Sequence, residues 1–325
     1  MSEEVLIIPT QQARHISDKI RHDMECPGFE FTYVGGNMDG QDEFPDREIY
    51  AAVPEIEKID GKHVVVLHGG APRPNSSELR LFHTLRAINK PIDGGRDTRG
   101  RKFQKSLNVK PKTLNVFFTY FTGGKQDWVD RKGAINAAEL YLDMCKRYFG
   151  VGHFFTIDGH FVLDKWAKKY PITNVSAIDL LVKAAIKDGF TGYDIYGPDE
   201  GSLRMGIDKK LDKVRVSVYK DILKNKPEEL RAMIGGRKVY LVDDLLQTGG
   251  TLERGINSIW DAGAEDIIVG VTHLRQTQGY NRIRSNVSKL YSTDTNPGNP
   301  FANVSVSELV KDTIGDYFFN GKYKL

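Results

Sequence analysis

Short apolar runs that end in turn residues, each followed by a helical pattern, recur along the chain. HVVVLHGG (63–70), LNVFFTYF (114–121), HFFTIDG (153–159), YDIYGP (193–198), VYLVDD (239–244) and DIIVGVTH (266–273) are short and rich in branched or aromatic residues. Such runs read as buried strands. Between them, residues 133–148 place Ala134, Ala137, Ala138, Leu142 and Cys145 near one helical face, and residues 250–262 do the same with Leu252, Ile256 and Ile259. Strand–helix alternation on this scale predicts an α/β fold with mainly parallel sheets, in which ligands sit beyond the carboxyl ends of the strands. The stretch 90–112 breaks the pattern. It carries Gly94, Gly95 and Gly100 with Arg96, Arg99, Arg101, Lys102 and Lys105 and few apolar residues. It reads as a long surface loop, either solvated or in contact with a phosphate or another subunit.

A chain of 325 residues has room for two domains of ordinary size. A faint internal echo points to two similar halves: Gly61-Lys62 precedes one strand and glycine-rich turn, and Gly236-Arg237 precedes another. With 27% charged and 40% hydrophobic residues the composition is that of a folded chain. A net charge of +3 is too small to argue for a nucleic-acid partner, though it allows a locally basic pocket. Cys26 and Cys145 are the only cysteines, which supports neither a disulfide framework nor a thiolate metal site. The start MSEEVLIIPTQQ has no basic, apolar leader pattern, and no run reaches the length of a membrane span. A cytoplasmic protein without a membrane partner is the expectation.

The segment Val242–Leu252, VDDLLQTGGTL, carries the most specific chemistry. Asp243 and Asp244 stand where a buried strand ends. Two adjacent carboxylates there accept hydrogen bonds from vicinal hydroxyls, such as those of a ribose, or hold a hydrated metal. Gln247, Thr248, Gly249, Gly250 and Thr251 then lead into a helix. Glycines let the backbone approach an anion, and the amides of a helix start favour a phosphate. The ensemble fits a sugar carrying a 5-phosphate. The other reading is an ordinary strand–turn–helix junction whose aspartates cap the helix. GxxxxGK[ST] and HExxH are both absent.

On these residues the chain resembles type I phosphoribosyltransferases and ribose-phosphate pyrophosphokinases. Four further segments resemble the second family, in its order and at its spacing. Phe44-Pro45-Asp46-Arg47-Glu48 is similar to the family turn that contacts the adenine end of ATP. Phe44 offers a stacking face there, and Asp46 and Glu48 offer acceptors. Tyr120 to Asp127 is similar to the segment whose Arg-Gln pair grips ATP, with Lys125 and Gln126 in those places and Asp127 next to them at the expected ATP site. Thr156-Ile157-Asp158-Gly159-His160 is similar to a segment that makes His160 a Mg²⁺ ligand, with Asp158 nearby. Gly197 to Arg204 is similar to a segment in which Asp199 holds metal or ribose; Arg204 falls one place earlier than the family's arginine. Taken alone, each of these segments also reads as a polar turn or a structural histidine. Val271-Thr272-His273 and Ser292 to Pro297 are weaker echoes.

The resemblance implies two tandem phosphoribosyltransferase-like domains: 1–152 joined by the C-terminal segment 305–325, and 153–304. It implies a Mg²⁺-dependent transferase acting on ATP and ribose 5-phosphate, as a homo-oligomer. It also implies a catalytic lysine, matched by Lys220. Four departures qualify this reading. The family arginine two residues after that lysine is Ile222, and Lys125, Arg47 and Gln247 replace the family's usual residues. A weakly active regulatory paralogue and a phosphoribosyltransferase are the alternatives.

Overall fold

The computed structural model describes residues 4–37, 39–160, 168–198 and 226–323. The chain forms two compact units, 1–156 with 164–173 and 307–325, and 157–163 with 174–306.

The first unit is built on strands β1 (Val5–Pro9), β2 (Phe29–Phe31), β3 (His63–Gly69), β6 (Thr113–Tyr120), β7 (His153–Ile157) and β8 (Ile172–Val175). Their order is β2-β1-β3-β6-β7-β8. The pairings β1–β2, β1–β3, β3–β6 and β6–β7 are parallel. β1 and β3 are buried at every residue, as expected of parallel strands covered on both faces. The helices of this unit are α1 (Arg14–Asp23), α2 (Pro74–Asn89), α3 (Ala137–Asp143) and α8 (Ser307–Phe318). α3 is shorter than the 133–148 pattern, and a π-turn over Met144–Tyr148 continues it. β7 joins this unit through its pairing to β6, with Asn115 opposite His153, so the break at 152 expected from sequence falls a few residues early. α8 returns to the first sheet: its Tyr317 ring lies 4.5 Å from His153 and its Phe318 ring 4.8 Å from His63.

The stretch 90–112 is not a plain loop. β4 (Ile92–Arg96) and β5 (Lys102–Ser106) form an antiparallel hairpin with all ten residues exposed. Asp97 builds its turn. One carboxylate oxygen accepts from the Arg99 and Arg101 amides, both at 2.9 Å, and Gly100 supplies φ +74°. Pairing here rests on turn chemistry, and a hairpin with no buried face leaves no apolar alternation to read.

The second unit has four parallel strands in the order β12-β11-β10-β9. They are β9 (Tyr193–Tyr196), β10 (Lys238–Leu246), β11 (Asp266–Leu274) and β12 (Lys289–Ser292), with α4 (Ile178–Lys187), α5 (Pro227–Ile234), α6 (Gly250–Asp261) and α7 (Thr277–Ile283). Alternation splits β10 and β11 between two cores. Val239, Leu241, Ile267 and Val269 pack with Leu252, Ile256 and Ile259 of α6. Tyr240, Val242 and Ile268 pack with Ile178, Leu181 and Val182 of α4. β10 is thereby held rigidly from both sides up to the point where its two aspartates emerge. Among the described residues, no helix is long and apolar enough to cross a membrane.

Candidate active site

Asp243 and Asp244 lie near the carboxyl end of β10, at 8% and 4% exposure. The Asp244 amide donates to Asp243 Oδ1 at 3.0 Å, so the pair is ordered along the backbone. Five residues later Gly249 takes φ +77° as the residue before α6, and a Cβ there would lie 3.0 Å from the Gly279 carbonyl. The left-handed conformation and the close approach of α7 both call for glycine. α6 follows at once, so the first amides of the helix have no carbonyl partner within it and point toward the loop. Arg282 of α7 supports the arrangement from below, donating from Nε to Glu253 at 2.6 Å and from its terminal nitrogen to the Thr248 carbonyl at 3.4 Å. The 247–251 turn can therefore cradle a phosphate while the acid pair reads hydroxyls on the same side.

His160 joins this group from the end of β7. Its Nδ1 lies 2.6 Å from Asp244 Oδ2. A carboxylate only accepts, so Nδ1 carries the proton and the lone pair of the neutral ring is on Nε2. The turn that delivers His160 is fixed from several directions. Asp158 sits at φ +38°, uncommon for a residue with a side chain. Its Oδ2 accepts from the Ala177 amide at 2.9 Å and the Thr272 hydroxyl at 2.7 Å, and the Gly159 amide donates to Asn174 at 2.8 Å. Burial raises the Asp158 carboxyl to about 6, against the lowering pull of the Thr272 and Ala177 hydrogen bonds. His273 lies beneath. Its Nε2 is 3.0 Å from the Ile157 carbonyl and its Nδ1 2.9 Å from the Thr295 hydroxyl, and burial lowers it to about 4. Its neutral ring braces the Ile157 carbonyl against β11 and the 293–296 segment.

The sequence grouped Asp158 with His160 as prospective metal ligands. Asp158 is 2% exposed and directs one oxygen into the fold. Among the described residues, no group of three or more His, Cys, Asp or Glu side chains is placed to hold a metal ion. His160 suits a ligand better, because a buried carboxylate on the second ring nitrogen is the usual way to orient a metal-binding imidazole. That arrangement fits Mg²⁺, which keeps several waters and takes its remaining oxygens from substrate phosphates. Asp199, Arg204, Lys220 and Ile222 lie outside the described residues.

Comparison with known proteins agrees with this geometry. Residues 205–309 match the phosphoribosyl transferase domain model. Ribose-phosphate pyrophosphokinase 2 of Enterococcus faecalis is 25% identical over 84% of this chain and 82% of its own. The ribose-phosphate pyrophosphokinase of Methanopyrus kandleri is 28% identical over 84% of this chain and 89% of its own. The chain is thus similar to ribose-phosphate pyrophosphokinases over most of its length. Its fold is that of the phosphoribosylpyrophosphate synthetase of Mycobacterium smegmatis, with TM-score 0.73, 18% identity, and 98% of this chain and 100% of that one covered.

The residues expected at the nucleotide lie in the first unit. Phe44 to Glu48 form a tight turn: the Phe44 amide donates to the Glu48 carbonyl and the Arg47 amide to the Phe44 carbonyl, both at 2.8 Å. Arg47, which stands at the family's glycine, keeps the left-handed conformation at φ +73°. The Glu48 amide donates to Asp46 Oδ1 at 3.1 Å, and Phe44 is 40% exposed with its ring edge toward Tyr50. Lys125, Gln126 and Asp127 follow β6 in a separate turn, closed by the Gln126 amide on the Gly123 carbonyl at 2.9 Å and by Asn136 on the Asp127 carbonyl at 2.7 Å. Sequence reasoning passed over Asn174, Gly279 and Arg282. Each is an ordinary polar or small residue in its own segment, and only its contacts mark it.

Proposed function

We propose that the protein transfers the β,γ-diphosphate of ATP to ribose 5-phosphate, giving 5-phosphoribosyl 1-diphosphate and AMP for nucleotide biosynthesis. The observation that carries this reading is the acid pair buried at the end of β10, with His160 on one member and the Gly249–Gly250 turn opening α6 directly after it. The turn would take the 5-phosphate, and Asp243 and Asp244 would accept from the ribose hydroxyls. O1 of the sugar attacks the β-phosphorus of ATP. The bond from that phosphorus to the bridging oxygen breaks, its electron pair stays on AMP, and the O1 proton is released. Positioning and charge neutralisation supply the catalysis, as in phosphoryl transfer generally. Mg²⁺, when bound, would neutralise phosphate oxygens, with His160 as one of its holders and Asp199 as the other expected from the family resemblance. Phe44, Asp46 and Glu48 would read the adenine, and Lys125, Gln126 and Asp127 would contact the nucleotide. The family resemblance implies a homo-oligomer, in which the nucleotide site is often completed across a subunit interface.

Lys220 is the proposed catalytic residue. Lys220→Ala should abolish AMP formation while ribose 5-phosphate still binds. An assay of AMP release, with ATP and ribose 5-phosphate varied separately at fixed Mg²⁺, tests the whole reading. Wild-type protein that releases no AMP overturns the catalytic assignment. Ile222 favours a second reading, a weakly active regulatory subunit, since loss of an arginine at a transferring phosphate costs on the order of 10³-fold in rate. Under that reading AMP release by a catalytic partner changes when this chain is added. Pyrophosphate release that depends on an added base would point instead to a phosphoribosyltransferase.

A further inference from the structure

The adenine-reading turn of the preceding section is a small exposed hairpin. Within it, the Glu43–Ile49 bridge, the Tyr50 amide on the Asp42 carbonyl at 2.9 Å and the Phe44–Tyr50 ring contact are its own ties. An isolated two-stranded hairpin is marginally stable in water, so something outside must hold it still.

Arg80 does this. It lies on α2 at 6% exposure, although no motif marks it in the sequence. One terminal nitrogen donates to Asp42 Oδ2 at 2.6 Å and to the Asp42 carbonyl at 3.3 Å. The other donates to Glu43 Oε1 at 2.5 Å. The fork thus grips two successive carboxylates and the backbone between them, immediately before Phe44. Charge-assisted, forked contacts of this kind are strong and directional. Arg73, before the start of α2, adds a looser contact to Glu43 at 3.6 Å. Remove the guanidinium, and two adjacent carboxylates repel each other where the hairpin leaves the body of the unit.

We propose that Arg80 is a positioning residue for the nucleotide: by clamping Asp42 and Glu43 to α2 it presents Phe44, Asp46 and Glu48 in one geometry, and so sets the affinity for ATP without touching it. This rests on the proposed role of the 44–48 turn. Preorganisation of a recognition turn acts on the bound nucleotide and not on the sugar phosphate, which the second unit is proposed to hold.

The test is Arg80→Gln in the full-length protein. ATP with Mg²⁺ is titrated by calorimetry without ribose 5-phosphate, and steady-state constants are measured for both substrates. The expected result is a Kd and KM for ATP raised about tenfold, with the KM for ribose 5-phosphate and the kcat at saturating ATP within about twofold of wild type. Arg80→Lys should lie between the two, since lysine keeps the charge and loses the fork. Glu43→Gln should move ATP affinity the same way by less, and it carries the test should Arg80→Gln fail to fold. Unchanged ATP affinity overturns the proposal, as does an equal rise in both KM values. Wild type that binds ATP but releases no AMP defeats the reaction assigned above and leaves the ATP titration to judge Arg80.

Discussion

His160 and Asp244, 84 positions apart in sequence, meet through a hydrogen bond of 2.6 Å between Nδ1 and Oδ2. The carboxylate is buried while the imidazole is part-exposed, with 39% of its side chain reached by solvent. One group is therefore fixed by the fold and orients the other. A residue proposed to face magnesium and a residue proposed to face the ribose are thereby coupled.

That coupling predicts the outcome of a double-mutant cycle. Asp244→Asn should lower activity by about 10–100-fold and raise the Mg²⁺ concentration needed for half-maximal rate, because the ring it orients loses its anionic partner. Adding His160→Ala to Asp244→Asn should cost little more than the worse single change. Magnesium titrations of AMP release on the four proteins provide the check. Fully additive losses would show that the two residues act separately.

Gly279 lies in α7, outside every motif, yet it packs closely under the turn proposed to face the phosphate. A Cβ on it would fall far inside van der Waals contact with the Gln247 carbonyl and would press on Leu246. Gly279→Ala should destabilise the protein by about 1–3 kcal/mol through overpacking. It should also raise the KM for ribose 5-phosphate more than that for ATP. Denaturant unfolding and the two KM values test this together. A variant with normal stability and normal substrate constants would show that the loop yields freely.

His153 gives the first unit a pH dependence. Its ring lies tilted against Phe155 at 4.6 Å and Tyr317 at 4.5 Å, its Nε2 is 2.9 Å from the Thr173 hydroxyl, and burial lowers it to about 4. The folded value lies below the unfolded value of about 6.5, so the unfolded chain binds the extra proton first. The contribution is complete above pH about 6.5 and declines as pH falls from there toward 4, by about 1.4 kcal/mol per unit. His153→Gln should flatten that part of the stability–pH curve relative to wild type, as measured by denaturant unfolding between pH 7 and pH 4.5. Identical slopes in the two proteins would show that His153 is protonated as readily in the folded state.

The strands were legible because their apolar runs are buried from both sides. β3, β6, β10 and β11 lie within two residues of the expected runs at either end. The 247–251 turn was legible for a different reason: a glycine before a helix start is demanded locally by φ, as at Gly249. The 92–106 hairpin was not legible, since neither face is buried and only the Asp97–Gly100 turn organises it. The anchoring of Asp158 Oδ2 on the Ala177 amide and the Thr272 hydroxyl was not legible either, because an aspartate two residues before a histidine looks the same in sequence whatever its carboxylate meets.

What the amino-acid order determined unaided is therefore local: period, turn chemistry and the short motif 242–252, each a property of neighbours along the backbone. What only the tertiary structure decided is which distant groups meet. Arg80 on Asp42 and Glu43, His160 on Asp244 and Gly279 under Gln247 all join residues more than 30 positions apart. Such contacts are selected by packing of whole elements, and an arginine, a histidine or a glycine gives no sign in its own segment of the partner that packing will bring to it.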